Sequence, residues 1–422
     1  MTEEFLQYAW KAGSYDLSLV NNLNGDVIEV INSGELNLDS GPDFFNAMIR
    51  MGDTILAGNV EVHINSSDWY RHGHHYDKAY DSVILQLVLN CDTEVKRTNG
   101  EVIPTAEIRF DPKLFRNYRK LIRNETWIPC QPYISCIDKT LIPGWLCKLA
   151  VKRLEQKSLI LRDALHLNQN SWEESFYQQL AHNFGFSLNG AVFEMLARSV
   201  PYRHLLRNRN NLFQLEAILF GQAGMLGPGD GDEYFEGLKK EYSHLKRKYS
   251  LIPLEKHLWR FLRLRPANFP TLRIAQFASL LYNTPSLFSA VLETKNIKTM
   301  ASFFRVKASE YWDTHFVFNK PAKRYAKTTG EFAIRSILIN TIVPVLFFYG
   351  QQREMAQFRN RAMKFLEELP AENNSKISKW RDLGITADNA LISQALLQQK
   401  NEYCSYRRCL NCKIGHHIIS HI

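Results

Sequence analysis

The chain has 422 residues, 52 lysines and arginines against 43 acidic residues, and a net charge of +9, with 45% hydrophobic and 23% charged residues. These values exclude a disordered or membrane-embedded chain and allow two or three domains. The first residues, Met1–Phe5, are acidic without an apolar run, so no secretory leader is expected. The odd number of cysteines, seven, then fits reduced thiols or metal ligands in a cytoplasmic protein.

A short helix is expected over residues 5–12. Residues 17–110 then alternate like strands, with turn signals at Asn21-Asn22, Asn24-Gly25, Ser33-Gly34, Gly52-Asp53 and Asn99-Gly100. Strands are expected over Val27–Leu36, Asp43–Met51, Thr54–Ile64, Val83–Asn90 and Ile103–Phe110, with a partly helical segment, Ser67–Asp81, between the third and fourth. Beyond Pro112 the spacing becomes helical: Lys113–Asn124, Trp145–Leu165, Trp172–Asn183, Val192–Val200, Leu212–Phe220, Leu272–Tyr282, Phe332–Tyr349 and Met355–Leu369. The most apolar run, Ile337–Tyr349, is broken by Asn340 and Pro344. It is too short for a bilayer span and is expected to be a buried helix. The expected organisation is an α/β domain over 1–115, a linker over 116–145, and an all-helical domain over 146–422 ending in a Cys-rich tail.

The sharpest constellation is Gly41-Pro42-Asp43-Phe44-Phe45 followed by Glu61-Val62-His63 across an apparent hairpin. A three-residue turn at Met51-Gly52-Asp53 would pair Ile49 with Ile55, Ala47 with Ala57 and Asp43 with Glu61, bringing the acids together. A two-residue turn would set Asp43 opposite Val62, on the other face from Glu61, so the three-residue turn is expected. Glu61 and His63, two apart on a strand, share a face whatever the turn. Two carboxylates and an imidazole on one sheet face suit a hard divalent cation such as Mg²⁺ or Mn²⁺, which could activate water against a phosphodiester. The blander alternative has Asp43 capping a strand and Glu61 facing solvent.

Pro42-Asp43 followed by Glu61-x-His63 on the next strand resembles the motif of the PD-(D/E)XK nuclease superfamily, and the order helix, three strands, helix, strand resembles its core. The resemblance implies a mixed sheet flanked by helices, in an α+β protein, with Asp43 and Glu61 as metal ligands. His63 stands where that superfamily has Lys, which alters the water-activating position. The longer run Ser40–Phe44, Gly58–His63, Asp68-Trp69 and His72–His75 also resembles an uncharacterised bacterial family of unknown function.

Arg71, His72, His74 and His75 follow the Glu61–His63 strand and are candidate substrate contacts, or a transition-metal site. In the tail, Cys404, Cys409 and Cys412 have x4 and x2 spacing, with His416 or His417 close behind. A Cys₃His zinc knot through His416 is expected. The alternative is a Cys₄ zinc or iron–sulfur site closed by Cys130, Cys136 or Cys147. Basic runs at Arg116/Arg119/Lys120/Arg123, Lys239-Lys240, Lys246–Lys248 and Arg260/Arg263/Arg265 suit a DNA or RNA backbone or plain solvation. The Gly227–Glu233 loop lacks phosphate-loop or EF-hand chemistry. Together these residues point to metal-dependent hydrolysis of nucleic acid by Asp43, Glu61 and His63. The alternatives are an inactive nucleic-acid-binding or scaffold protein and a non-nuclease metalloprotein using the histidines.

Overall fold

Aliphatic and β-branched residues alternate with polar ones only in the first quarter of the chain, and there the structure builds its sheet. The computed structural model describes every residue except 14, 20–27, 38, 230, 285 and 422. The turn signals at Asn21-Asn22 and Asn24-Gly25, Val27 of the first expected strand, and Asp230 lie outside the described residues. The chain divides into two units, Met1–Trp145 with Gln399–Ile422, and Leu146–Gln398. Residues 116–145, read from sequence as a linker, fold inside the first unit. The tail, grouped from sequence with the helical domain 146–422, is also part of that first unit.

The first unit runs α1 (Glu3–Ala12), β1 (Asp16–Leu19), β2 (Ile28–Asn32), β3 (Glu35–Leu36), β4 (Phe44–Met51), β5 (Thr54–Asn65), α2 (Asp68–Arg71), β6 (Val83–Asn90), β7 (Thr105–Arg109) and α3 (Pro112–Arg123). The strands form one mixed sheet in the order β1-β7-β6-β5-β4-β2, with β3 also on β4. β4 is antiparallel to both β2 and β5, while β5–β6 and β6–β7 are parallel. A parallel pair needs a crossover connection. Here residues 66–82 supply it, through α2 and two single 3₁₀ turns, His74–Tyr76 and Lys78–Tyr80. That crossover carries the histidines expected near the acids.

The two faces of the sheet bury different groups. Phe44, Ile49, Val60, Val62, Leu85 and Leu87 pack beneath Leu6, Ala9 and Trp10 of α1. Fully burying side chains of this size contributes about 1.5–3 kcal/mol each. Trp69 of α2 packs with Val83, Val95 and Ile103 in a smaller cluster. Because successive residues alternate faces, burying Val60 and Val62 under α1 commits Glu61 and His63 to the opposite side.

The β4–β5 hairpin closes with a two-residue turn, since Met51 pairs with Thr54 and Ile49 with Leu56, not Ile55. Gly52 has φ 54° at the first turn position, as a type II′ turn requires. This corrects the three-residue turn expected from sequence. Left alone, the two-residue register would separate the acids. It is reset by a β-bulge: Ala47 pairs with Gly58 and Phe44 with Val60, so Phe45 and Asn46 together oppose Asn59. Asn46 takes the left-handed conformation, φ 57°, and its N–H donates to Asn59 Oδ1 at 3.3 Å. The extra residue returns Asp43 to a position beside Glu61.

The second unit is mostly helical, and the helices expected from periodicity are present: Trp172–Phe184, Phe186–Ser199, Leu212–Gln222, Pro270–Asn283, Glu331–Gln352 and Ala356–Glu368 among them. It is not all-helical as expected, because His315–Val317 and Lys320–Pro321 form a small hairpin. The charged helix Glu233–Tyr249 carries the Lys239–Lys248 runs, and Asp232 of the Gly-rich loop caps it by accepting from Phe235 N–H. By length and composition Glu331–Gln352 could cross a membrane, but 72% of its most apolar window is buried inside this unit. Pro344 cannot donate a helical hydrogen bond. The helix loosens into a π-turn at Leu338–Ile342, and Asn183 Nδ2 donates to the Asn340 carbonyl at 3.3 Å.

The bulge gives a direct prediction. Asn46→Val forces a β-branched residue into the left-handed region and is expected to cost about 1–2 kcal/mol in urea unfolding, whereas Asn46→Gly is expected to stay within about 0.5 kcal/mol of wild type. Equal stability of the Val variant would show that Asn46 does not hold this conformation.

Candidate metal centre

Asp43 stands just before β4 and Glu61 in the middle of β5. They are locked together by exchanged backbone contacts. Asp43 N–H donates to Glu61 Oε2 at 3.0 Å, and Val62 N–H donates to Asp43 Oδ2 at 3.0 Å. Gln7 of α1 donates its amide to Asp43 Oδ1 at 2.9 Å. Glu61 is only 5% exposed and His63 1%, so the alternative in which Glu61 faces solvent is excluded.

Imidazoles crowd the free oxygen of Glu61. His63 Nε2 lies 3.6 Å and His74 Nε2 3.3 Å from Glu61 Oε1, and His72 Nδ1 lies 3.3 Å from His63 Nε2. One nitrogen from each of His63, His72 and His74 falls within 4.8 Å of the others. His74 is buried and held by stacking on Tyr80, with centroids 3.8 Å apart, while His72 is exposed. Of the other expected contacts, Arg71 is exposed and pairs with Asp68 at 2.8 Å. His75 turns instead toward Tyr70 and Tyr76.

Sequence reasoning missed two residues of the site, Gln7 and Gln86. Gln86 lies opposite Glu61 on the parallel partner β6 and is fully buried. Its Oε1 accepts from the Thr105 hydroxyl at 3.2 Å, and its Nε2 donates to the Ser66 carbonyl at 3.1 Å and faces His63 Nδ1 at 3.2 Å. The Ser66 carbonyl can only accept, so it fixes the amide with its NH₂ toward His63. His63 Nδ1 is therefore an acceptor, and the ring carries its proton on Nε2, aimed at Glu61 and His72. A buried amide that meets a histidine on the neighbouring parallel strand has no local signal in the sequence.

The electrostatics follow from burial. Burial, reinforced by the charge of Glu61, pushes the Asp43 carboxyl up to about 7, and burial pushes Glu61 up to about 8. Burial and the neighbouring His74 and His72 push His63 down to about 3, and burial lowers His74. The donor set fits a divalent cation on two counts. The two acids cannot both be charged cheaply without one, and the buried His74 Nε2 has no hydrogen-bond partner although it faces Glu61 Oε1. Asp43, Glu61 and His74 would hold the ion, with His63 and His72 beside it.

The residues of the second expected ligand set are not all brought together. Cys404, Cys409 and Cys412 are buried around one small cavity, and Cys130 lines it with them. His416, expected as the fourth ligand, is turned away, with its Nε2 on the Leu410 carbonyl and its ring against Tyr8. The expected basic face of α3 is present: Arg116, Arg119, Lys120 and Arg123 are exposed while Leu114, Tyr118 and Leu121 are buried.

A family model described as a protein of unknown function, DUF2851, matches residues 3–375. No curated protein and no solved structure matches the chain.

These shifts fix the sign of a pH dependence. Asp43 and Glu61 bind protons more tightly folded than unfolded, so without metal the folded state loses stability as pH rises from roughly 4 through roughly 8. His63, held neutral, acts oppositely and costs stability as pH falls from 6.5 toward about 3. In chelator, Glu61→Gln is expected to flatten the alkaline limb of melting temperature against pH, and His63→Gln the acid limb. Added Mn²⁺ should raise the wild-type melting temperature more at pH 8 than at pH 6, because binding displaces protons. Equal shifts at both pH values would place the ion elsewhere.

Proposed function

The chain belongs to the DUF2851 family, and from the geometry of this site we propose that it is a metal-dependent phosphodiesterase acting on DNA or RNA, with a nuclease core of the PD-(D/E)XK kind. The observation that carries the reading is the reciprocal hydrogen bonding of Asp43 and Glu61, which holds a half-buried and a buried carboxylate side by side. The chain order α1, β1–β5, α2, β6 supports this reading in so far as it contains helix, strands, helix, strand, with five strands instead of three between the helices.

In this reading Asp43, Glu61 and His74 bind the cation. Once bound, it supplies a more acidic water and a positive charge against the phosphate. Water adds to phosphorus as the ester P–O bond breaks, giving a phosphomonoester and a hydroxyl. His63, at the position of the superfamily's Lys, is neutral and offers its Nε2–H as a hydrogen-bond donor, so the positive charge must come from elsewhere. Arg71 and His72, both exposed, are placed to meet the phosphate, and His72 to pass the water's proton to solvent. Mixed carboxylate and imidazole donors favour Mn²⁺ over Mg²⁺.

The test is cleavage of single- and double-stranded DNA and RNA with Mn²⁺ or Mg²⁺. Asp43→Ala and Glu61→Ala are each expected to lose about 1000-fold in rate, roughly 4 kcal/mol of transition-state stabilisation. Undetectable cleavage by wild type under all these conditions, or full activity in both variants, overturns the proposal. A second reading, a transition-metal centre with different chemistry, is favoured by the close trio His63, His72 and His74. It predicts tight, stoichiometric zinc or iron that persists in Asp43→Ala but not in His74→Ala.

A further inference from the structure

The four buried cysteines form a constellation independent of the acids. Cys130 opens the 3₁₀ turn Gln131–Cys136 just after α3. Cys404 ends a π-helical stretch, Gln399–Cys404, Cys409 opens the turn Cys409–Asn411, and Cys412 precedes the helix Lys413–His421. All four line one cavity with Pro129, Gln399 and Gly415, and all four are free thiols.

The backbone around them is shaped for sulfur ligands. The backbone N–H groups of Ile414 and Gly415 lie beside the Cys412 sulfur. A Cβ on Gly415 would fall 2.1 Å from the Cys409 carbonyl oxygen, so only glycine lets the Cys409-x-x-Cys412 loop close this tightly. Gln399 Nε2 lies 3.3 Å from the sulfurs of both Cys404 and Cys412, a polar donor set between two thiols. Cys136 and Cys147, the alternative fourth ligands, are exposed.

We propose that Cys130, Cys404, Cys409 and Cys412 hold a metal centre through four thiolates, a zinc ion or an iron–sulfur cluster, that staples the C-terminal tail to the segment following α3. The staple has a structural consequence for the acid site. The helix Lys413–His421 leaves the centre and packs on α3 and α1. Asn117 Nδ2 donates to the Ile419 carbonyl at 3.0 Å, and the Tyr8 hydroxyl bonds the Ser420 hydroxyl at 3.3 Å. Tyr8 adjoins Gln7, which holds Asp43.

The test is metal analysis of the full chain, purified anaerobically without a metal-affinity step. Either about one zinc per chain with no visible absorbance, or iron with acid-labile sulfide and a brown chromophore, is expected. Cys130→Ser and Cys412→Ser should lose the metal, while His416→Ala and Cys136→Ser keep it. Should the cysteine variants fail to fold, wild type still decides. Four of its seven thiols should resist a thiol reagent until a mercurial releases the metal in proportion. Wild type that contains neither metal and takes up neither on anaerobic reconstitution overturns the proposal, as does a Cys130→Ser protein with full metal content. Loss of the metal in His416→Ala with retention in Cys130→Ser would assign the fourth ligand to the histidine and also overturn it.

Discussion

Everything proposed for the first unit depends on one constraint, the pair of backbone N–H groups that hold Asp43 and Glu61 against each other. A carboxylate removed from water loses several kcal/mol of solvation, while a hydrogen bond to a charged group returns about 1.5–3 kcal/mol. Two N–H donors and the Gln7 amide therefore offset part of the cost of burying two acids, not all of it. The remainder is met by keeping protons on the pair, hence the raised carboxyls, or by admitting a cation. The neutral histidines fit the same pressure. Charged imidazoles would neutralise the acids directly, but His63 is too deep to hold a proton on both nitrogens. A pocket that cannot balance its own charge suits an exchangeable ion.

How far this was legible in the sequence differs from one feature to the next. Most strands and most helices followed from periods of two and 3.6, because burial on one face imposes those periods directly, whereas β1 was not expected and the expected strand Val27–Leu36 divides into β2 and β3. The charged helix Glu233–Tyr249 was not recognised as a helix, since its lysines and arginines obscure the Phe235, Leu238, Tyr242 and Leu245 stripe. The pairing of Asp43 with Glu61 was anticipated for the wrong reason. Parity was argued from the turn alone, whereas the chain has an even turn and an odd bulge, and the two together restore the same parity. A signal for the bulge was present: Asn is among the few residues that take the left-handed region readily, and Asn46 interrupts the apolar run Phe44–Ile49.

Gln86 and Cys130 show the limit more sharply. Gln86 meets His63 only because β5 and β6 are parallel neighbours joined by a crossover, a fact about topology rather than spacing. The fourth thiol could be any of several from sequence, since ligand spacing constrains only residues close in the chain. In the proposed centre, helix direction is what favours Cys130 over His416. Starting the helix at Lys413 carries His416 away from the Cys412 sulfur toward Tyr8, and the vacated side is closed by the segment following α3.

The tail and the acid site meet through α1, and magnitudes decide what that connection can do. α1 is docked by Phe5, Leu6, Ala9 and Trp10, all fully buried, with the Trp10 indole N–H on the Ser33 carbonyl at 2.9 Å. The three large side chains among them contribute about 1.5–3 kcal/mol each. The tail adds to α1 one hydroxyl hydrogen bond and one ring contact at Tyr8, about 1 kcal/mol apiece. Tyr8, which the tail touches, adjoins Gln7, and the Gln7–Asp43 hydrogen bond at 2.9 Å is one whose strength falls steeply with geometry. The thiolate centre would then tune the acid site without taking part in its chemistry.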